Sequence, residues 1–314
     1  MLKYLLSRMF YSVALLFGVL FLVFMLLHIT GDPVSLMVSR HATPAEIEAL
    51  RQELGFDRPL LVQFAEFVKN ALQGDFGRSF RYRQPAMDLV VQRIPATIEL
   101  ASVALFMAIL MGVTIGILGG SNPNTALDSI ARGLGLLGQT IPTFWLGLIL
   151  IIIFSLNLGW FPAYGRETFK FIGLTLPNKS IILPAFALSL FTTGQLARFT
   201  RSAVLEVMNE EYVTTARSKG LKKMRIYSRY ILKNSAIPLI SIIGVQFSYL
   251  LSGSIYIETI FSWPGLGNLL AEAVSTRDFF LVQATAFFTS FVVIGLHLVT
   301  DIIYMLVDPR IRYR

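Results

Sequence analysis

Uninterrupted apolar runs set the rhythm of this chain. Met9–Ile29 carries no charge, and Ile98–Gly120 carries only Glu99, at its edge. Leu134–Asn157 follows with Pro142 inside it, then Ile181–Thr200, interrupted by Pro184, Gln195 and Arg198. Pro238–Ile257 and Phe279–Val307 complete the set. About 20 apolar residues cross a bilayer as a helix, so each run predicts a transmembrane helix and the chain predicts six. A proline is tolerated inside a membrane helix when neighbours satisfy the freed carbonyl, which keeps Leu134–Asn157 as one span.

The polar stretch between the first two runs carries helix signals of its own. Thr43-Pro44-Ala45-Glu46 supplies an N-cap, a proline at the first helical position and a glutamate at the third, so a helix begins there and ends near Gly55. A second is expected from Pro59 to about Leu72, before Gly74, and a third over Pro85–Arg93, leading into the second span. The organisation read from these patterns is an N-terminal membrane helix (1–30), a helical segment outside the membrane (31–97), a five-helix core (98–307) containing a polar loop at 201–236, and a tail (308–314). The fold class is all-α integral membrane.

Composition agrees. The chain has 314 residues, 54% hydrophobic and 15% charged, where soluble domains average about 25% charged. The first apolar run exceeds a usual signal-peptide core, and its flank, Ile29 to Pro33, offers no small-x-small cleavage site, so it reads as a retained helix. The net charge of +8 marks loops on one side. Fifteen Lys and Arg fall with the two termini and loops 121–133 and 198–233, against four in the opposite short segments 158–180 and 258–278. Basic residues stay inside, which puts both termini in the cytoplasm. The eight in 31–97 count for little, because long segments translocate regardless of charge.

The most basic loop has a definite shape. Within 206–219, Glu206, Glu210 and Glu211 come early and Arg217 and Lys219 late, which suits a helix dipole. Gly220 stands where a left-handed C-terminal residue is wanted. A second helix is expected from Lys222 to about Asn234, stopped by Pro238. It carries a basic stripe, Lys222, Arg225, Arg229 and Lys233, and an apolar one, Met224, Tyr227 and Ile231. Ala216 and Gly220, four apart, form a small-residue notch. Such an element can lie on anionic lipid or dock a cytoplasmic protein. A nucleic-acid patch fits poorly, because the run is tied between two membrane spans.

Catalytic chemistry is sparse. There is no cysteine, and His28, His41 and His297 lack metal-ligand spacing. No nucleophile–base pair or paired carboxylate stands out in the spans, so no catalytic or metal residue is assigned. No G-x-x-x-x-G-K-[ST] occurs, so no P-loop is present; energy must come from a partner or an ion gradient. Gln139, Gln195 and Gln246, one each in spans three to five, are candidates for lining a path or for interhelical hydrogen bonds. His297 and Asp301 read as a structural pair, and Arg198 and Arg201 as snorkelling to the inner surface. Glu258 and the turn Phe261 to Gly267, with Trp263, Pro264 and Gly265, read as an outer gate or protein contact, or with Trp263 as a headgroup anchor.

At the basic loop the sequence resembles the inner-membrane permeases of binding-protein-dependent ABC importers. The closer resemblance is to the first permease of the dipeptide/oligopeptide/nickel group. Thr215-Ala216-Arg217-Ser218-Lys219-Gly220, then Lys233-Asn234 and Pro238, match that group's version of the cytoplasmic "EAA" loop, although the two leading positions, Thr214-Thr215, depart from the general Glu-Ala. Further matching stretches run in order along nearly the whole chain. They are Gly31-Asp32-Pro33, Leu54 to Pro59 with Gln63, Gly74 to Gly77, Pro95-Ala96-Thr97, Leu158 to Pro162, Ile182-Leu183-Pro184, Ala197 to Arg201, Glu258 to Gly267, Arg277-Asp278 and Asp308 to Arg312.

The resemblance implies a type I (MetI-like) permease in the bacterial inner membrane, with 31–97 in the periplasm. It implies a homologous second permease, two ATPase subunits that bind the ATP, and a periplasmic substrate-binding protein; no cofactor is expected on this chain. It also implies that the loop docks in an ATPase groove. Dipeptides, longer peptides, glutathione and nickel chelates are the substrates it leaves open. The rival class, an ion-gradient secondary transporter, would want mid-membrane charges and inverted repeats, and neither stands out.

Overall fold

The computed structural model describes residues 2–30, 34, 43–53, 55–171 and 174–307. The stretches Gly31-Asp32-Pro33 and Asp308 to Arg312 and the tail lie outside the described residues, as do Leu54 and the side chains of Met224 and Pro238. The chain is predominantly helical, in two compact units. One comprises the residues up to Pro95 with Gly265–Leu298, the other Ala96–Pro264 with the residues from Val299 onward.

In the first unit, α1 is Leu2–Thr30, α2 is Pro44–Glu53 and α3 is Leu60–Leu72. The expected capping box closes reciprocally. Glu46 Oε2 accepts from the Thr43 backbone N–H at 2.7 Å, and Thr43 Oγ1 accepts from the Glu46 N–H at 3.3 Å. The backbone N–H of Thr43 foremost, and then its hydroxyl, which donates to the same Oε2 at 3.1 Å, hold the Glu46 carboxyl below its usual range. A lowered carboxylate stabilises the cap above its ordinary pKa and loses that contribution as pH falls through the lowered value. The protection of the Thr43 and Glu46 amides, with the intrinsic pH dependence of exchange divided out, is therefore expected to hold at neutral pH and to fall only in acid. Gly74 takes φ +78° after α3.

The helix expected over Pro85–Arg93 is instead the start of one continuous helix, α4, Ala86–Ser121, with Pro95 inside it. A short helix that the sequence reading did not expect, Leu266–Ser275, begins at the end of the expected Phe261–Gly267 turn, with Gly265 as its N-cap. It buries Leu266, Leu269 and Ala273 in one core with Ala71, Phe76, Ala86, Leu89 and Val90, to which Leu281 and Val282 of the last helix, Phe279–Val307, also belong. Asp278 ties this unit by accepting from Ser79 Oγ at 2.5 Å and capping Leu281 N at 3.2 Å. Tyr82 Oη donates to Glu272 at 2.8 Å, and burial first, then this bond, pushes the phenol above its usual value.

The second unit contains the rest of α4. It adds α5 (Ala126–Thr140), α6 (Thr143–Leu150), running into a π-helical stretch Ile151–Asn157, and a two-stranded antiparallel hairpin, Thr168–Phe171 with Leu174–Pro177. Then come α7 (Ile182–Met208), α8 (Glu211–Ser218), α9 (Lys223–Ile226), a π-helical turn Tyr227–Ile231, and α10 (Leu232–Ile260). The remaining helices are α11 (Leu266–Ser275), in the first unit, and α12 (Phe279–Val307), whose residues up to Leu298 belong to the first unit and the rest to the second.

Two expectations about proline change. Leu134–Asn157 is not straight: α5 and the helix after Pro142 meet at 98°. Proline disfavours the helical region in the residue before it, and Ile141 is extended, with ψ 122°. Conversely, Pro238 does not stop a helix but lies within α10. Its missing N–H costs the helix one bond, to the Asn234 carbonyl, which a membrane helix of this length tolerates.

By length and apolarity, four described helices can cross a membrane, or five with the bent pair as one span, against six read from the sequence.

α7 is the axis of the second unit, and glycines let its neighbours approach. A Cβ on Gly112, Gly116 or Gly120 of α4 would lie 2.5–2.9 Å from atoms of Leu196, Thr193, Thr200, Ala197, Arg201 or Val204. A Cβ on Gly138 of α5 would likewise lie 2.7 Å from the Leu190 carbonyl oxygen, and one on Gly194 of α7 2.4 Å from the Gly135 carbonyl oxygen. Small residues four apart are how membrane helices pack closely.

Candidate functional site

The loop between α7 and α10 is a helix–turn–helix with its own core. α8 ends as its sequence dictates: Gly220 adopts φ +72°, its N–H donates to the Arg217 carbonyl at 2.9 Å, and the Leu221 N–H reaches back to the Ala216 carbonyl at 3.3 Å. That pair of bonds is a Schellman motif, which satisfies carbonyls the helix end would leave open. Beneath it, Val204, Val213, Ala216, Ile226 and Ile231 are buried together, with Leu221 and Tyr227 packed against them. Asn234 clamps the two arms, its Nδ2 donating to Tyr212 Oη at 3.1 Å as well as to the Tyr230 carbonyl. Tyr227 Oη donates to the Ser121 carbonyl at 3.0 Å, fixing the loop to the end of α4.

This arrangement sorts the expected loop residues. Thr215, Arg217, Lys219, Gly220 and Asn234 are exposed, as is the basic stripe Lys222, Arg225, Arg229 and Lys233. Ala216 is not: it is 4% exposed and belongs to the loop's core, so the expected notch is filled from within on that side while Gly220 stays open. The stripe's charges therefore face away from the core that fixes their backbone.

Immediately above the loop, Asp128 and Arg201 form a bidentate ion pair, Nε to Oδ1 at 2.5 Å and Nη2 to Oδ2 at 2.9 Å. Asp128 is fully buried and also accepts from the Asn124 N–H at 3.2 Å. Arg201 was expected to snorkel; it points inward because a buried carboxylate is there to meet it. Arg198 is exposed, its guanidinium 5.8 Å from the Phe199 ring centre.

The mid-helix glutamines are partly gathered. Gln246 Nε2 donates to Gln195 Oε1 at 2.6 Å, linking α10 to α7, while Gln139 Nε2 reaches only its own helix, the Gly135 carbonyl at 3.2 Å. His297 and Asp301 lie one turn apart on α12.

The turn after α10 joins two stretches far apart in sequence. Thr97 Oγ1 donates to the fully buried Glu258 at 2.8 Å, and the Trp263 indole N–H donates to the Ala96 carbonyl at 2.8 Å. Trp263 is completely enclosed, which corrects the reading of a headgroup anchor. Its indole N–H found a carbonyl in the Pro95-Ala96-Thr97 stretch instead of water. Ser262 at φ +47° makes the turn possible. Trp263→Phe is expected to destabilise by about 1–2 kcal/mol, because a buried hydrogen bond and part of the enclosed ring are lost; thermal unfolding of the purified protein measures this.

The comparisons with known proteins bear on the whole chain. Residues 112–313 match the family described as the binding-protein-dependent transport system inner membrane component, and residues 1–101 match that family's N-terminal region. The chain belongs to this family. It is 38% identical over 312 residues to a putative peptide transport system permease protein of Brucella abortus (strain 2308), covering 98% of each chain. To a glutathione transport system permease protein of Escherichia coli (strain K12) it is 36% identical over 315 residues, covering 100% of each.

Among solved structures it resembles an inward-facing MetNI methionine ABC transporter chain at a TM-score of 0.55 and 18% identity, covering 71% of this chain and 97% of that one. An amino acid ABC transporter crystallised with histidines gives 0.53 and 16%, covering 69% and 92%. The fold is that of the MetI-like permeases, and the protein is a multi-pass inner-membrane permease of a binding-protein-dependent ABC importer. Such a subunit works within an assembly that includes ATPase and substrate-binding proteins.

The sequence reading missed the ion pair and the glycine faces. Gly112-x-x-x-Gly116-x-x-x-Gly120 was the available signal; Asp128 and Arg201, 73 residues apart, gave none.

Proposed function

We propose that residues 206–236 are the element through which cytoplasmic ATPase subunits move the membrane helices. The observation that carries this is the loop itself: exposed cationic side chains on a backbone fixed by its own core, with α7 leading in and α10 leading out. A rigid unit of that kind passes a push from a partner into the helices on either side, as two-state domain motions require. In this reading Thr215, Arg217, Lys219, Gly220 and Asn234 face the ATPase, Ala216 holds the loop's shape, and Pro238 begins the return into the membrane. The termini and this loop share the cytoplasmic side, and ATP is bound by two ATPase subunits, not by this chain. A homologous second permease completes the path, and a periplasmic protein delivers the substrate.

Gln246 Oε1 is buried with no hydrogen-bond partner among the described residues. That favours the Gln195–Gln246 pair as a path-lining group with an acceptor in reserve; Gln139 is grouped with it by position. Glu258, Trp263 and Pro264, with Gly265 capping α11, are assigned to an outer gate. With Trp263 enclosed, the gate acts by rearrangement of this turn.

The substrate class we infer is short peptides, with glutathione as the second reading, supported by the names the two sequence relatives carry. Nickel chelates are the remaining alternative. Uptake of labelled dialanine, in competition with tetraalanine, glutathione or nickel–histidine, separates them.

Gly220→Asp tests the loop. It is expected to lower uptake and substrate-stimulated ATP hydrolysis about tenfold by putting a negative charge into the cationic surface. Gly74→Asp is the control, with a similar positive φ and no atom within 4 Å of a built Cβ, and it should transport normally. If no ATPase co-purifies with the intact complex and uptake survives ATP depletion, the importer reading is wrong.

A further inference from the structure

The first unit holds a cavity of about 290 Å³ that the transport reading does not use. Its volume lies just under the roughly 300–1,000 Å³ of small-molecule sites. Three carboxylates line it, Glu53, Glu66 and Asp75, and no Lys or Arg does. Arg58 pairs with Glu66, and Asp75 Oδ1 accepts from the Gly77 N–H at 2.9 Å, which leaves Glu53 and the second oxygen of Asp75 toward solvent.

The walls are aromatic: Phe24, Phe56, Phe76 and Phe279 present rings to it. Gln283 also lines the cavity. It is 3% exposed, and its buried amide nitrogen has no hydrogen-bond partner among the described residues. Leaving a buried donor unmade is costly, so an acceptor is wanted there.

Acidic rim, π faces and an orphan donor specify a ligand with two features. The carboxylates and rings favour a compact cation. The amide favours an oxygen acceptor a few bonds from it. We propose that this cavity binds a primary ammonium with a carbonyl or phosphoryl oxygen close by. That chemistry occurs at the free N-terminus of a peptide and in a phosphoethanolamine headgroup. Both sources can reach it, since Phe24 lies near the end of the apolar stretch Leu6–Met25 and the rim carboxylates are accessible to water.

The test uses the full chain in nanodiscs made only of phosphatidylglycerol, with dialanine as probe and binding read by saturation-transfer NMR. Dialanine is expected to bind and N-acetyl-dialanine to bind at least tenfold more weakly. The double variant Glu53→Gln/Asp75→Asn keeps an acceptor for Gly77 and should weaken binding about tenfold. Gln283→Leu should weaken it about fivefold while melting no lower than the parent, because it replaces an unsatisfied amide with an apolar group.

If dialanine fails to bind but phosphatidylethanolamine is retained by the parent chain and lost from both variants, the lipid is the source. Equal binding of dialanine and its acetylated form, or of parent and variants, overturns the proposal, as does retention of neither amine. Because the readout is binding without transport, its failure leaves the ATPase-docking reading untouched.

Discussion

Gly116→Leu is expected to cost about 3 kcal/mol or more and to deplete folded permease from the membrane. An ideal Cβ at this position lies 2.5 Å from Thr200 Cβ and 2.6 Å from the Ala197 carbonyl oxygen. The second contact decides the size of the effect. A side chain can rotate aside, but a backbone carbonyl moves only if α7 moves, and α7 is also gripped by α5 at Gly135 and Gly138. Overpacking typically costs 1–3 kcal/mol even where side chains can adjust, and here both sides are backbone-limited. Gly18→Leu is the matched control, helical and with nothing within 4 Å, and should stay within about 0.5 kcal/mol. Thermal unfolding of the two purified variants, with membrane yield alongside, makes the comparison. Equal stability would show that the glycine face is not a packing surface.

Arg201→Met carries the second large effect. It leaves Asp128, fully buried, without its bidentate partner; Arg132, 3.7 Å away and half exposed, is a weak substitute. Removing one member of a buried pair costs about 3–5 kcal/mol, whereas replacing both with groups of similar shape is often near neutral. Asp128→Asn/Arg201→Met should therefore recover most of the lost stability, since Asn can still accept from the Asn124 N–H. A double-mutant cycle on melting temperature reads the coupling. Additive losses would mean that the two residues act separately. Because Arg201 is on α7 and Asp128 on α5, this pair braces the base from which the loop projects.

What the sequence made legible follows from how local each signal is. The capping box at Thr43–Glu46 and the helix ends at Gly74 and Gly220 depend on residues close in the chain, and the structure has them where they were read; the apolar runs gave helices but not the count of six spans. The proline readings failed in both directions, because proline's effect depends on its surroundings. Ile141 turns extended beside Pro142, while Pro238 lies inside the 29-residue helix α10, which gives up only one backbone bond to keep it. The α11 helix hid because Leu266–Ser275 is only ten residues and its apolar face makes sense only against α3 and α4. Ala216 read as a surface notch because its partners, Val204 and Ile231, are brought together by tertiary packing alone. Long-range pairs such as Trp263 with Ala96 carry no sequence spacing at all.

If the cationic face of residues 211–234 meets an ATPase, the composition of the chain offers a direct way to see it. It contains no cysteine, so a single introduced thiol is unique in this subunit. Lys219→Cys and Lys222→Cys, both at exposed positions, can be carried in the assembled complex and treated with a short thiol-to-amine cross-linker. Each is expected to capture an ATPase subunit, with a yield that ATP changes, while Gln73→Cys, exposed in the other unit, captures none. Absence of ATPase adducts from both loop positions, or equal adducts from Gln73→Cys, would contradict that contact.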